Sequence, residues 1–221
     1  FLTECADVVV GNPPWGAPQA DVPDELKSDG GIDWCATRQL SVGDKERSQT
    51  FIHRTMDLLR PGGKAALLVS TGVFFKRHKN TKLFREQWLA NVTLRKVVNF
   101  AAVRNAFFQN ASEGESRKKG EAKNQGSIAP FAAVIFEKQK PSEESRFVYW
   151  SAKETAFVKR VQAVVFNLAD IRSANQAEYF RDETLWKIYW WGGHRDQALI
   201  GRLRLESSFK QVVDPDGTRM R

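Results

Sequence analysis

The chain has 221 residues, 42% of them hydrophobic and 27% charged, a balance that suits a globular protein with a sizeable core. Lys and Arg outnumber Asp and Glu by 34 to 26, and the formal net charge of +8 favours polyanionic partners. The absence of a bilayer-length apolar run, of a secretion signal, and of any disulfide or zinc pattern around Cys5, Cys35 and the three histidines argues for a cytoplasmic protein with no membrane partner and no metal.

The first predicted element is the run Asp7-Val8-Val9-Val10-Gly11, which leads directly into Asn12-Pro13-Pro14-Trp15-Gly16. A short apolar run reads as a strand buried on both faces of a parallel sheet. The prolines end it, because neither has an N–H to give a ladder. Asn12 precedes a proline and is therefore held out of the helical region. A loop at the carboxyl end of a parallel strand sits where open α/β sheets bind their ligands. An exocyclic amino group on an aromatic base is a poor nucleophile, since its lone pair is delocalised into the ring. The Asn12 amide oxygen and the Pro13 carbonyl supply two acceptors for the amino hydrogens, favouring a pyramidal nitrogen in the transition state. Trp15 offers a flat face for a base, worth roughly 1–3 kcal/mol.

In this setting Asn12-Pro13-Pro14-Trp15 resembles the catalytic motif of the S-adenosylmethionine-dependent amino-group methyltransferases. The most familiar of these are the N6-adenine DNA methyltransferases of restriction-modification and phage-defence systems, in which the fourth position is Tyr, Phe or Trp. The resemblance implies an α/β fold: part of a Rossmann-like methyltransferase sheet, with parallel strands and a final antiparallel one, followed by an α-rich extension. It also implies S-adenosylmethionine as cofactor, touched by Asn12, and DNA as partner. The family's main cofactor motif, a Gly-rich turn and then an acidic residue, is not found before Asp7, and no G-x-G-x-x-G follows a later strand. The expectation is that residues 1–140 form the carboxyl-terminal half of a catalytic domain, and that residues 141–221 form a helical, Trp-rich extension leading toward a DNA-recognition region. An upstream half of the same longer chain would then bind the cofactor, and this piece alone would bind it weakly or not at all.

Gly16 to Arg47 is polar, broken by Pro and Gly, and reads as a long loop. Gln49 to Arg60 has helical spacing, and Pro61-Gly62-Gly63 is expected to stop that helix before a second buried strand, Lys64 to Ser70. Phe51 matches in position a family aromatic that lines the cofactor's adenine, although core packing explains a Phe there equally well. Lys76, Arg77, Lys79 and Lys82 head a basic stretch that reads either as a solvated helix face or as a phosphate-tracking DNA surface. A helix over about Asn80 to Asn91 and a strand over Leu94 to Phe100 follow. In related methyltransferases an aromatic shortly after this strand stacks on the extruded base, and here Phe107 or Phe108 fills that place. Ala111 to Ser127 reads as a mobile hairpin tip, and Phe131 to Lys138 as the returning antiparallel strand.

Beyond Pro141, Phe147 to Trp150 suggests a short strand. Ser151-x-x-Glu154 suggests a capping box opening a helix through about Phe166. Leu185 to Trp191 is an aromatic cluster that suits an interdomain core better than a base-stacking surface, and a helix is expected from about Arg195 to Leu205. Two functional readings stand. In one, Asn12, Pro13 and Pro14 build the grip on a flipped adenine, and Trp15 with Phe107 or Phe108 sandwiches it. In the other, a non-catalytic nucleic-acid-binding or assembly module keeps the motif as a packing turn. RNA-adenine and protein-glutamine methyltransferases, which use a similar tetrapeptide, are a variant of the first.

Overall fold

Six strands build one sheet: β1 (Ala6–Gly11), β2 (Leu59–Ser70), β3 (Thr93–Asn99), β4 (Phe131–Glu137), β5 (Arg146–Ser151) and β6 (Ile171–Asn175). Their spatial order is β1-β2-β4-β3-β5-β6. The structure is a computed structural model that describes residues 2–17, 30–107, 130–161 and 163–205. β1 runs parallel to β2, and β3 parallel to β5. β4 inserts antiparallel between β2 and β3, and β6 is antiparallel to β5. Two reversals give β3 the direction of β2, so β1, β2, β3 and β5 all end at one edge of the sheet. This is the mixed α/β sheet that the resemblance implies, with the strand expected over Phe131 to Lys138 running antiparallel as β4, although β5 and β6 follow it in the same sheet.

The helices are α1 (Gly30–Thr37), α2 (Arg47–Leu58), α3 (Gly72–Phe75), α4 (Lys79–Leu89), α5 (Ala156–Val161), α6 (Gln176–Arg181), α7 (Thr184–Trp191) and α8 (His194–Leu205). A single large core joins Ile52, Phe74, Phe84 and Trp88 to the apolar side chains of β2, β3 and β4, and continues into Phe147, Tyr149, Tyr179 and Trp186. Sheet and core therefore run across the composition change near residue 140. Gln176 fastens the two parts. Fully enclosed, it accepts from the Leu94 N–H at 2.8 Å and donates to the carbonyls of Leu89 and Val92 at 3.0 and 2.8 Å. The Arg85 guanidinium, itself buried, bonds Glu183 beside Lys82, whose ammonium lies 3.0 Å from the same carboxylate.

Several local expectations need correcting. β1 is not buried on both faces: Val8 and Val10 are 64% and 77% exposed, because β1 is the edge strand and nothing among the described residues covers that face. Pro61-Gly62-Gly63 does not separate helix from strand. α2 ends at Leu58 and β2 begins at Leu59, so the tripeptide lies within the strand, where the register with β1 shifts. Gly63 is needed there because a Cβ would sit 3.1 and 3.2 Å from the Ala6 and Asp7 carbonyl oxygens. Ser151 ends β5 instead of capping a helix, and Thr155 accepts from the Val158 N–H at the start of α5 instead. The Gly16–Arg47 loop contains α1, which buries Cys35. The expected hairpin tip at 111–127 lies outside the described residues.

Candidate functional site

Asn12 stands exposed at the carboxyl end of β1, with Pro13 buried beneath it and Pro14 exposed. Trp15 turns back over the sheet, and its Nε1–H donates to the Leu68 carbonyl of β2 at 3.1 Å. Gly16 closes the loop at φ +77°, a conformation that suits glycine. A clasp holds it there. The buried Glu46 carboxylate accepts from the Gly16 N–H at 2.7 Å and from the Ser48 N–H at 3.3 Å, while Arg47 N–H donates to the Gly16 carbonyl at 3.1 Å. Glu46 is also the N-cap of α2, so one carboxylate ties the proline loop to the helix that carries Phe51. Ser48 Oγ in turn accepts from the Ser70 N–H at 3.2 Å, linking the same helix end to the end of β2.

The second half of the site gathers at the same edge. Trp15 stacks on Phe131, with ring centroids 5.4 Å apart and planes 15° from parallel. Phe131 stacks in turn on Phe100 at 5.3 Å. Phe107, half exposed after the 3₁₀ turn Ala101–Ala106, sets its ring edge-on to Phe131 at 5.4 Å and to Phe100 at 5.0 Å. The fold thus brings Trp15 and Phe107 into one aromatic cluster, joined through Phe131. Phe108 lies outside the described residues. The turn carrying Phe107 is anchored by Asn99, whose Oδ1 accepts from the Ala101 N–H at 2.9 Å and whose Nδ2 donates to the Tyr149 hydroxyl at 3.2 Å. Burial pushes the Tyr149 phenol far above its ordinary value, so it remains a neutral hydroxyl.

Phe51 is 43% exposed and lines a cavity of about 190 Å³ with Gly30, Gly31, Trp34 and Arg54. A mostly apolar slot lined by two glycines and two aromatic residues suits a flat heterocycle. Among the basic candidates, Lys76 pairs with Asp44 at 3.0 Å, and that hydrogen bond holds the Asp44 carboxyl below its ordinary value. Lys82 pairs with Glu183. Arg77 and Lys79 are exposed, with no ion pair among the described residues. Lys76, Arg77 and Lys79 follow β2 and so lie at the edge that carries Asn12, whereas Lys82 is one turn further along α4. Among the described residues, no group of three or more His, Cys, Asp or Glu side chains could hold a metal ion, and no helix is long and apolar enough to cross a membrane.

Residues 3–107 match the family model described as Eco57I restriction-modification methylase. The matched segment spans the proline loop, Phe51, the basic stretch and Phe107. Solved structures share the fold. The methyltransferase subunit of a type I restriction-modification system from Streptococcus thermophilus aligns with 81% of this chain and 36% of its own, at 14% identity and a TM-score of 0.50. A chain from a study of type I system assembly and conformational transition aligns with 91% of this chain and 42% of its own, at 15% identity and the same score. The chain therefore spans roughly two fifths or less of the length of these structures. No curated protein matches it in sequence.

The proline loop, Phe51 and Phe107 were legible as single positions. Glu46 and Phe131 were not. Glu46 carried a weak signal as an acid just before a helical run, and Phe131 resembled any first residue of a strand.

Proposed function

We propose that the chain is part of a site-specific DNA adenine-N6 methyltransferase of a restriction-modification or phage-defence system, acting on an adenine extruded from the duplex. Extrusion follows from the chemistry, since the N6 edge cannot meet a methyl donor inside a base-paired stack. The observation that carries the reading is the combination at the end of β1: an exposed Asn12, a buried Pro13 and a Trp15 ring pinned to Leu68. In this reading the Asn12 Oδ1 and the Pro13 carbonyl accept the two amino hydrogens and turn the nitrogen lone pair outward. Their acceptance is strongest as positive charge grows on nitrogen, so the stabilisation is largest in the transition state. Pro14 keeps the turn stiff, which removes the need for reorganisation during the step. Trp15, on its side turned away from Phe131, is assigned to one face of the base, and Phe107 or Phe108 to the other.

In this reading the slot at Phe51, Gly30, Gly31 and Trp34 takes the cofactor's adenine ring, and Phe51 and Asn12 touch the cofactor. When bound, S-adenosylmethionine supplies an electrophilic methyl group. The remainder of the cofactor site is assigned to an upstream half of a longer chain, a reading supported by the apolar flank of β1, which nothing among the described residues covers. Lys76, Arg77, Lys79 and Lys82 are assigned to DNA phosphates, and residues 141–221 to the approach to a recognition region.

The test is transfer of a labelled methyl group to an adenine-containing duplex by the complete protein, with sequencing to locate the modified base. Asn12→Ala should lower the rate by about a hundredfold or more while leaving DNA affinity nearly unchanged. Methylation of cytosine, RNA or protein in place of duplex adenine would overturn the assignment, as would equal losses in binding and turnover.

A further inference from the structure

The aromatic cluster of the extension divides sharply in the fold. Trp186 and Tyr189 of α7 are sealed into the core at 0% and 5% exposure, whereas Trp191, the last residue of the helix, is 75% exposed. Trp191 does not stand alone. It lies nearly parallel to Trp190, with centroids 5.5 Å apart and planes at 15°, and Trp190 packs against Phe75 of α3 at 3.9 Å. Phe75 follows the carboxyl end of β2, so this ladder of rings rises from the edge that carries Asn12 and ends in an open indole face. The Trp190 carbonyl is held from below by Ser151 Oγ at 3.1 Å and by the Lys153 ammonium, which fixes the end of α7. A rigid, backed and exposed tryptophan is an unusual surface feature for a core-forming helix.

Beside it opens a cavity of about 280 Å³, lined by Trp191, Tyr189, Lys153, Arg172, Asp170 and Asp196 among others. Its two carboxylates are already engaged by backbone caps: Asp196 accepts from the Gly193 N–H at 2.6 Å, and Asp170 from the Asn167 N–H at 3.0 Å. The two cations meet neutral partners. The Arg172 guanidinium lies over the Tyr189 ring, 3.1 Å from its centroid, and Lys153 donates to Ser151 Oγ at 3.1 Å and to the Trp190 carbonyl. Neither cation makes a salt bridge within 4 Å among the described residues. An open aromatic face with cations at its side is the chemistry that holds a nucleic-acid strand, by stacking on a base and contacting the adjoining phosphate.

We propose that Trp191, Lys153 and Arg172 form a second DNA contact, in which Trp191 stacks on a base of the strand flanking the target and the two cations meet its phosphate. The proposal rests on the methyltransferase reading for its choice of DNA as the polyanion. Its location is compatible with one duplex. β1 and β5 are four strand spacings apart, about 19 Å, which is the rise of between five and six base pairs.

The test is the anisotropy of a fluorescein-labelled 20-mer DNA duplex titrated with the complete protein across a salt series. Trp191→Ala should weaken binding about fivefold or more with the salt slope unchanged, and Trp191→Phe should recover most of the loss. Lys153→Gln and Arg172→Gln should each lower the salt slope by about one. Circular dichroism melts of each variant show whether the fold is retained; Trp191, being exposed, should not change it. Unchanged affinity in Trp191→Ala overturns the proposal, as do unchanged slopes in both charge variants or a wild-type protein that ignores duplex at low salt. Asn12→Ala is the control that separates the two ideas. Loss of methyl transfer there, with Trp191→Ala silent in binding, leaves the active-site reading standing and removes this one.

Discussion

On the β1 flank of the sheet, Val8 and Val10 hold well over half of their surface in solvent, while on the β5 flank Phe147 and Tyr149 keep 1% each beneath Trp186. Both strands have apolar side chains, and both end at the same edge. What differs is the cover. α6 and α7 close over β5, and the two long side chains of Gln176 and Arg85 stitch that cover to α4 and β3. Beside β1 the stiffness comes from backbone devices instead: two prolines, a glycine at positive φ and the Glu46 clasp. The contrast separates two tasks. The β5 flank supplies the packing free energy, and the β1 flank supplies a fixed, open frame in which polar groups stay available to a ligand.

Substitutions that exchange the two behaviours test that separation. The largest expected effect is at Trp186, fully buried against Phe74, Phe147 and Tyr179. Trp186→Ala should cost about 3–5 kcal/mol in urea unfolding, because it removes a large apolar side chain and leaves a cavity. Asn12→Ala comes next and should show the opposite profile: a hundredfold loss of methyl transfer in the complete protein, and an unfolding midpoint within experimental error of the parent. Val10→Ser should be smaller than either, within about 0.5 kcal/mol in this chain. A cost near that of Trp186→Ala would mean that the β1 flank is packed after all, and the comparison would fail.

How much of this was legible in the sequence follows the same division. The strands at Val8, Leu67, Val97, Val134 and Tyr149, and the helices carrying Phe51 and Phe84, were readable because continuous or periodic apolar residues leave few alternatives. The antiparallel placement of Phe131 to Glu137 followed from the family resemblance. What escaped was set by tertiary partners. α1 begins with Gly30-Gly31, poor helix formers, and is held by the burial of Cys35 and by the contacts of Trp34 with Arg38 and Arg54. The strand Ile171–Asn175 exists because β5 offers an edge to pair with, and its own residues are only partly apolar. Within the candidate site, the motif residues were visible one by one. The clasp at Glu46 and the ring of Phe131 between Trp15 and Phe107 needed coordinates, since each joins segments far apart in the chain.

The smallest effect concerns the helix that links the two tasks. His53 lies on α2, two residues after Phe51, and is 3% exposed with its ring edge-on to Phe84. Its Nε2 lies 3.0 Å from the Ser41 carbonyl. A carbonyl can only accept, so Nε2 carries the proton. Burial lowers the pKa below the ordinary 6.5, and the bond to Ser41 opposes this without reversing it. Between 6.5 and the depressed native value the unfolded chain therefore binds a proton that the folded chain does not. Stability from this group is complete above 6.5, falls as the pH drops through that window, and levels off once the folded form also protonates. The carboxylates held low in the fold (Asp44, Asp182 and Glu183) start from ordinary values of 3.8 to 4.5, so their losses begin at more acidic pH. Urea unfolding in steps from pH 7.5 down to pH 5 should show a shallow decline that His53→Gln removes. An identical decline in the variant would place the acid sensitivity elsewhere, and would leave α2 with no part in it.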